Sequence, residues 1–307
     1  MREAFELLSV DQKTTLHGYH WSCPAPWAVL QITHGMAEHI LRYDELATYL
    51  NALGIAVIGH DHLGHGKSIH QQPQGYFYDE KTTFGLIKDL YQVTEWGKIR
   101  YPDLPLFVLG HSMGSFVVRN YLFDHGEEID GAILMGTGQQ PLWLTQMGRQ
   151  TAKILSRIQG EMHPSKLIDR LAFGNMNRKI SNRRKDKDWL SSVAAEVDAY
   201  LLDHNCGFLF TLNGYHELFS MIIRSQDATE MKKVPKDLPL LFLAGNDDPV
   251  GDFGKGVMKA AQAYQSAGST KVTVKLYENA RHEILNERQK QIVFQDICKW
   301  MEKFSDK

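Results

Sequence analysis

Short, nearly unbroken apolar runs recur along the chain, and the stretches between them carry apolar residues at helical spacing. The runs at 28–33, 55–60, 106–109, 129–135 and 238–244 are too short and too apolar for surface elements and predict buried strands. Residues 270–277 alternate instead, as a half-buried strand does. Helical periodicity predicts helices at 43–52, at 115–124, at 254–267 and at 287–304, the last turning Ile292, Val293, Ile297 and Trp300 towards the sheet. A further helix runs through Arg100, with Thr82 or Thr83 as its cap. Residues 5–10 and 15–21 flank Asp11-Gln-Lys and predict an antiparallel hairpin at a sheet edge. This order, a hairpin followed by alternating strand and helix, specifies an α/β fold: a mostly parallel central sheet with helices on both faces.

The rhythm breaks between residues 137 and 227. No strand-like run of comparable strength occurs there, and helices are expected at 143–158, 165–173, 189–202 and 212–225. The chain therefore divides into a core (1–136), an inserted helical cap (137–227) and the remainder of the core (228–307). Within the insert, residues 178–189 are rich in Arg and Lys, and two readings stand: a solvated loop with aspartates nearby, or a patch for anionic lipid or phosphate head groups.

Chemistry gathers where strands end, and in α/β sheets ligands sit beyond the carboxyl ends of strands. Gly110-His-Ser112-Met-Gly114 joins a predicted strand to a predicted helix, where small flanking residues allow a turn sharp enough to expose the serine hydroxyl. The duller alternative is a glycine-rich turn with an inert serine. A free hydroxyl is a poor nucleophile at neutral pH, so Ser112 needs a base. His282, after the last strand and before the last helix, would take its proton, and Asp248, after the preceding strand, would orient the ring. Asp247 or Asp252 would be the alternative acid. An oxyanion would need two backbone donors, supplied by the N–H of Met113 and by that of Met36 in the His34-Gly35-Met36 loop. His60, His62, His65 and His70 bring a metal to mind. Their spacing fits no single helix or strand face and the only carboxylate among them is Asp61, so no metal is expected. Asp61 itself reads as stabilising the turn into Gly64.

Composition narrows the class without changing it. The 307 residues are 43% hydrophobic and 23% charged, ordinary for a soluble globular chain. With 34 basic and 36 acidic residues, the net charge of -2 gives no reason to expect nucleic acid as a partner. Three scattered cysteines, Cys23, Cys206 and Cys298, fit a reducing compartment. The charged N-terminus lacks a secretory apolar region and no run is long enough to span a membrane, so a cytoplasmic location is expected.

Taken in order, His34-Gly-Met-Ala-Glu38-His39 with Arg42-Tyr43, Asp61-His-Leu-Gly64-His65-Gly66-Lys-Ser68, Gly110-His-Ser-Met-Gly114, Gly245-Asn-Asp-Asp248 and Ala280-Arg-His282 form a set of blocks. The set resembles the monoacylglycerol lipase and lysophospholipase branch of the α/β-hydrolases, also described as serine aminopeptidase-like. The resemblance implies an α/β-hydrolase fold, a cap-covered acyl pocket and cofactor-free hydrolysis of carboxylic esters, typically lipid-derived monoesters. Transient membrane-surface contact through the cap is a separate expectation. Ser115 departs from the further glycine of many members, a change expected to be tolerated. Trp143, Met147, Phe208, Phe210, Phe219, Met221 and Met231 are candidates for an acyl-chain wall, or else ordinary core. The alternatives are a general carboxylesterase or a peptidase on the same triad, and a non-catalytic binding protein. A haloalkane dehalogenase is disfavoured, since it would carry an aspartate in place of Ser112.

Overall fold

The computed structural model describes residues 1–77 and 84–305, so the expected caps Thr82 and Thr83 lie outside the described residues. Among those residues, eight strands form one sheet in the order β1-β2-β4-β3-β5-β6-β7-β8. The strands are β1 (Arg2–Leu8), β2 (Thr15–Trp21), β3 (Ala28–Thr33), β4 (Ile55–His60), β5 (Leu106–His111), β6 (Gly131–Met135), β7 (Leu240–Gly245) and β8 (Val272–Tyr277). The hairpin β1–β2 is antiparallel and occupies one edge, while β4, β3, β5, β6, β7 and β8 pair in parallel.

The unbroken apolar runs are explained by burial on both faces of the sheet. In β5, Leu106 and Val108 join one core while Phe107 and Leu109 join the other; in β7, Leu240 and Phe242 oppose Leu241 and Leu243. The first core is covered by α2 (Gly85–Arg100), α3 (Met113–His125) and α9 (Lys255–Ala267), the second by α1 (Asp44–Ala52) and α10 (Lys290–Lys303). One expectation fails on α10: Val293, Ile297 and Trp300 are buried, but Ile292 is 51% exposed. Ile292 precedes Val293, and consecutive helical positions lie about 100° apart, so the apolar pair overruns the buried stripe by one.

Between β6 and β7 the chain forms α4 (Leu142–Gln159), α5 (Lys166–Phe173), α6 (Ala194–Leu202), α7 (Leu212–Arg224) and the single turn α8 (Ala228–Met231). The helix expected from residue 189 begins only at Ala194. Residues 188–191 run irregularly because their carbonyls serve the core: Trp189 and Leu190 accept from the N–H groups of His282 and Glu283, and Asp188 and Ser191 accept from the Arg281 guanidinium.

Both ends of this insertion meet at Arg119 of α3, a fully buried guanidinium that donates to Gly138 O (2.9 Å) at the start and to Ser225 O (2.7 Å) at the end. Truncation to methionine removes both donors and leaves buried carbonyls unpaired. Arg119→Met is therefore expected to lower stability by about 3 kcal/mol in urea unfolding. A loss below about 1 kcal/mol would mean that other donors replace it.

Candidate active site

The sharp turn at the end of β5 follows from contacts that forbid side chains at its flanks. A Cβ on Gly110 would lie 2.4 Å from Gly114 O, and one on Gly114 would lie 2.1 Å from Thr33 O. Ser112 between them has φ 52° and ψ −118°, a conformation that non-glycine residues rarely adopt. It is held by its own N–H donating to Met135 O (2.9 Å) and by Ser115, whose hydroxyl donates to Ser112 O (2.6 Å). The departure at Ser115 thus adds a bond to the turn.

His282 and Asp248 come together across the ends of β8 and β7. His282 Nδ1 donates to Asp248 Oδ2 (3.0 Å), and Asp248 Oδ1 accepts from Val250 N–H (2.8 Å). Asp248 and His282 are buried, so the pair is shielded from water. Burial pushes the His282 imidazole down, but Asp248, Glu283 and Glu38 together, Asp248 foremost, outweigh it and the net shift is upward.

Ser112, Met113, Met36 and His282 border a single cavity of about 340 Å³. Among the described residues, neither the Met36 nor the Met113 backbone N–H donates to a protein acceptor. Met36 sits in a loop whose shape is fixed from below. Gly35 N–H donates to Glu38 Oε1 (2.5 Å), and Ala37 N–H donates to His65 Nε2 (3.2 Å). Asp61 accepts from Ile40 N–H and Lys67 N–H, so it ties this loop to the turn after β4 as well as stabilising that turn.

The histidine cluster serves the same end. His34 Nε2 accepts from His62 N–H (2.9 Å), and His34, His62 and His65 pack ring against ring. Burial pushes His62 down to about 4 and His65 to about 3, and holds His34 and His60 well below the ordinary imidazole value, so all four are neutral near pH 7.

A second network escaped the sequence reading. Arg42 donates to Glu38 Oε2 (2.6 Å) and makes a two-pronged pair with Glu283, at 2.7 Å on each oxygen. Glu38 also accepts from Tyr43 OH (2.9 Å) and lies 3.2 Å from His111 Nδ1. Burial alone would raise both carboxyls, yet Arg42 holds Glu38 well below the usual carboxylate range and lowers Glu283. The only trace in sequence was that Glu38 and Arg42 stand in the first motif block and Glu283 follows His282. The pair of Arg42 and Glu283 spans 241 positions.

Of the proposed acyl-wall residues, Met147, Phe208 and Phe219 line the cavity. Phe210, Met221 and Met231 are buried core, and Trp143 is 64% exposed.

Transfer of the Ser112 proton to His282 would require a neutral imidazole. The rate at which a fluorophosphonate labels Ser112 is therefore expected to fall as pH drops through a value above that of free imidazole. Removing a nearby negative charge stabilises the imidazolium less, so Glu283→Gln should move that inflection to lower pH. An inflection unmoved in the variant would show that Glu283 does not act on the base.

Comparison with known proteins supplies the family. The serine aminopeptidase S33 family matches residues 24–289. A monoglyceride lipase of Mus musculus is 30% identical over 283 residues, covering 92% of this chain and 84% of its own. A thermostable carboxyl esterase from Bacillus coagulans, solved with glycerol, shares 27% identity and a TM-score of 0.91, covering 99% of this chain and 98% of that one. The monoglyceride lipase of Saccharomyces cerevisiae, solved as a soluble variant with a substrate analogue, shares the fold at a TM-score of 0.78 and 21% identity, covering 100% of this chain and 96% of that one. With a parallel sheet of this order, a serine at its strained turn and a family match over most of its length, the chain belongs to the serine aminopeptidase S33 family of α/β-hydrolases.

Proposed function

We propose that this serine ester hydrolase cleaves monoacylglycerol or lysophospholipid-type acyl esters through an acyl-enzyme on Ser112. The observation that carries the reading is the junction of Ser112 and His282 with a largely apolar cavity walled by the insertion: Leu144 and Met147 from α4, Leu171 from α5, Leu218 and Phe219 from α7. A cavity of this size and lining suits an acyl chain.

In the proposed cycle His282 takes the Ser112 proton as the hydroxyl oxygen attacks the ester carbonyl. Asp248 keeps Nδ1 protonated and stabilises the imidazolium, and the N–H groups of Met36 and Met113 receive the developing oxyanion. His282 then gives its proton to the departing alcohol, and water attacks the acyl-enzyme by the reverse sequence. No step calls for a metal or cofactor.

Residues 137–227 act in this reading as a cap over the cavity. Leu144, Met147 and Leu171 line the cavity yet are 53%, 59% and 70% exposed, so its rim is apolar, and Trp143, Ile154 and Ile158 extend the same character outwards. Such a patch suits transient contact with a lipid surface. No helix among the described residues is long and apolar enough to cross a membrane, and three free cysteines suit the cytoplasm.

The test is fluorophosphonate labelling followed by intact mass, with fatty-acid release from a panel of monoacylglycerols, lysophospholipids and short water-soluble esters. One adduct on the native protein, none on Ser112→Ala, and release from long-chain monoesters are expected. Release confined to short esters would sink the lipid assignment.

A further inference from the structure

The substrate's leaving group occupies the His282 side of the site, because His282 delivers the proton to the departing oxygen. That side is walled by the irregular segment before α6: the Trp189 ring lies 5.1 Å from the His282 ring, and the backbone of 189–190 is bonded to that of 282–283. Lys187 begins this wall, its carbonyl accepting from Leu190 N–H (2.9 Å), and it lines the cavity together with Ser112.

The other charged side chains of the cavity lining are already committed. Glu38 and Glu283 are paired with Arg42, and Asp169 accepts from Tyr215 OH (3.1 Å). The side chain of half-buried Lys187 has no hydrogen-bond or ion-pair partner among the described residues. Two neighbours in the basic segment differ in this respect: Arg184 and Lys185 are paired with Asp198, and Asp188 accepts from the backbone N–H groups of both. Two cations of the segment are thus spent on Asp198, whereas Lys187 is the cation of the segment that lines the cavity. An ammonium in this position lacks only an acceptor, and a leaving alcohol that carries a phosphate supplies one.

Building on the ester-hydrolase reading, we propose that Lys187 selects acyl esters whose leaving alcohol is anionic, of the glycerophosphate type, over neutral monoacylglycerols. The ester C–O bond breaks, the acyl carbon bonds to Ser112 Oγ, and the glycerophosphate leaves with the proton carried by His282. Water then releases the fatty acid and restores the serine hydroxyl. Lys187 makes no covalent bond; it pairs with the phosphate in the ground state and throughout the transfer.

The test compares kcat/KM for a lysophosphatidic acid and for the monoacylglycerol of the same acyl chain, as monomers in solution, with native protein, Lys187→Met and Lys187→Arg. The native protein should favour the lysophosphatidic acid. Lys187→Met should lower the ratio of the two kcat/KM values about tenfold or more, through KM of the anionic substrate, and Lys187→Arg should restore it. A native ratio at or below one, or a ratio that Lys187→Met leaves unchanged, overturns the assignment of Lys187 while leaving the ester-hydrolase reading intact. Native protein whose Ser112 takes the fluorophosphonate but which releases fatty acid from neither substrate sinks the ester reading, and this inference with it. If Lys187→Met alters turnover only when the monoacylglycerol is presented on phosphatidylglycerol vesicles, the cation reads the membrane surface, and the leaving-group assignment is overturned.

Discussion

One guanidinium between two buried carboxylates holds the candidate site in register. Arg42 bonds Glu38 on the loop that carries Met36 and Glu283 on the loop that carries His282, so two segments far apart in sequence are fixed against each other. Burying a carboxylate without a partner costs several kcal/mol, and here neither acid is left without one. The shared cation has a consequence for charge as well. Two carboxylates and one guanidinium leave a net negative charge beside His282, which adds to the pull of Asp248 on the imidazolium. Position and electrostatics thus come from the same residues.

The network also reaches the insertion. Tyr200 of α6 lies against the Arg42 guanidinium at 5.0 Å and donates its hydroxyl to Ala37 O (2.9 Å), while Gly207 N–H donates to the same carbonyl. His39 pairs with Asp203 (2.8 Å) beside them. The loop around Met36 is therefore clamped by the sheet from below and by the insertion from above. In the proposed cycle an N–H held in this way would cost little reorganisation as the oxyanion develops.

Much of the fold was legible because strands buried on both faces leave unbroken apolar runs, and the turn at Ser112 because its two glycines sit between such a run and a helix. Asp248 and His282 could be chosen by their places after β7 and β8. What stayed hidden was of two kinds. Pairings such as Arg42 with Glu283 depend on distance in space and leave no local pattern. Residues 189–193 carry helix-compatible residues, yet the carbonyls of Trp189, Leu190 and Ser191 bond to the loop of His282, and tertiary contacts overrode local preference. At Ile292 the error was angular: periodicity locates an apolar face, but the width of the stripe that the sheet covers is set by packing.

The clamp at Arg119 has a meaning for how the chain can vary. Gly138 and Ser225 mark the two ends of the helical insertion and are held by one side chain on α3, so the insertion leaves and re-enters the core at nearly the same place. The entropy of closing such a loop grows only with the logarithm of its length, by about 0.6 kcal/mol per doubling. Closing the insertion therefore costs the chain little more when it is long than when it is short, so long as the contacts that Tyr200, Gly207 and residues 188–191 make with the core are kept. Variation in the length of the insertion and its anchorage at α3 are thereby separated along the chain, since one side chain fixes both points at which the insertion meets the core.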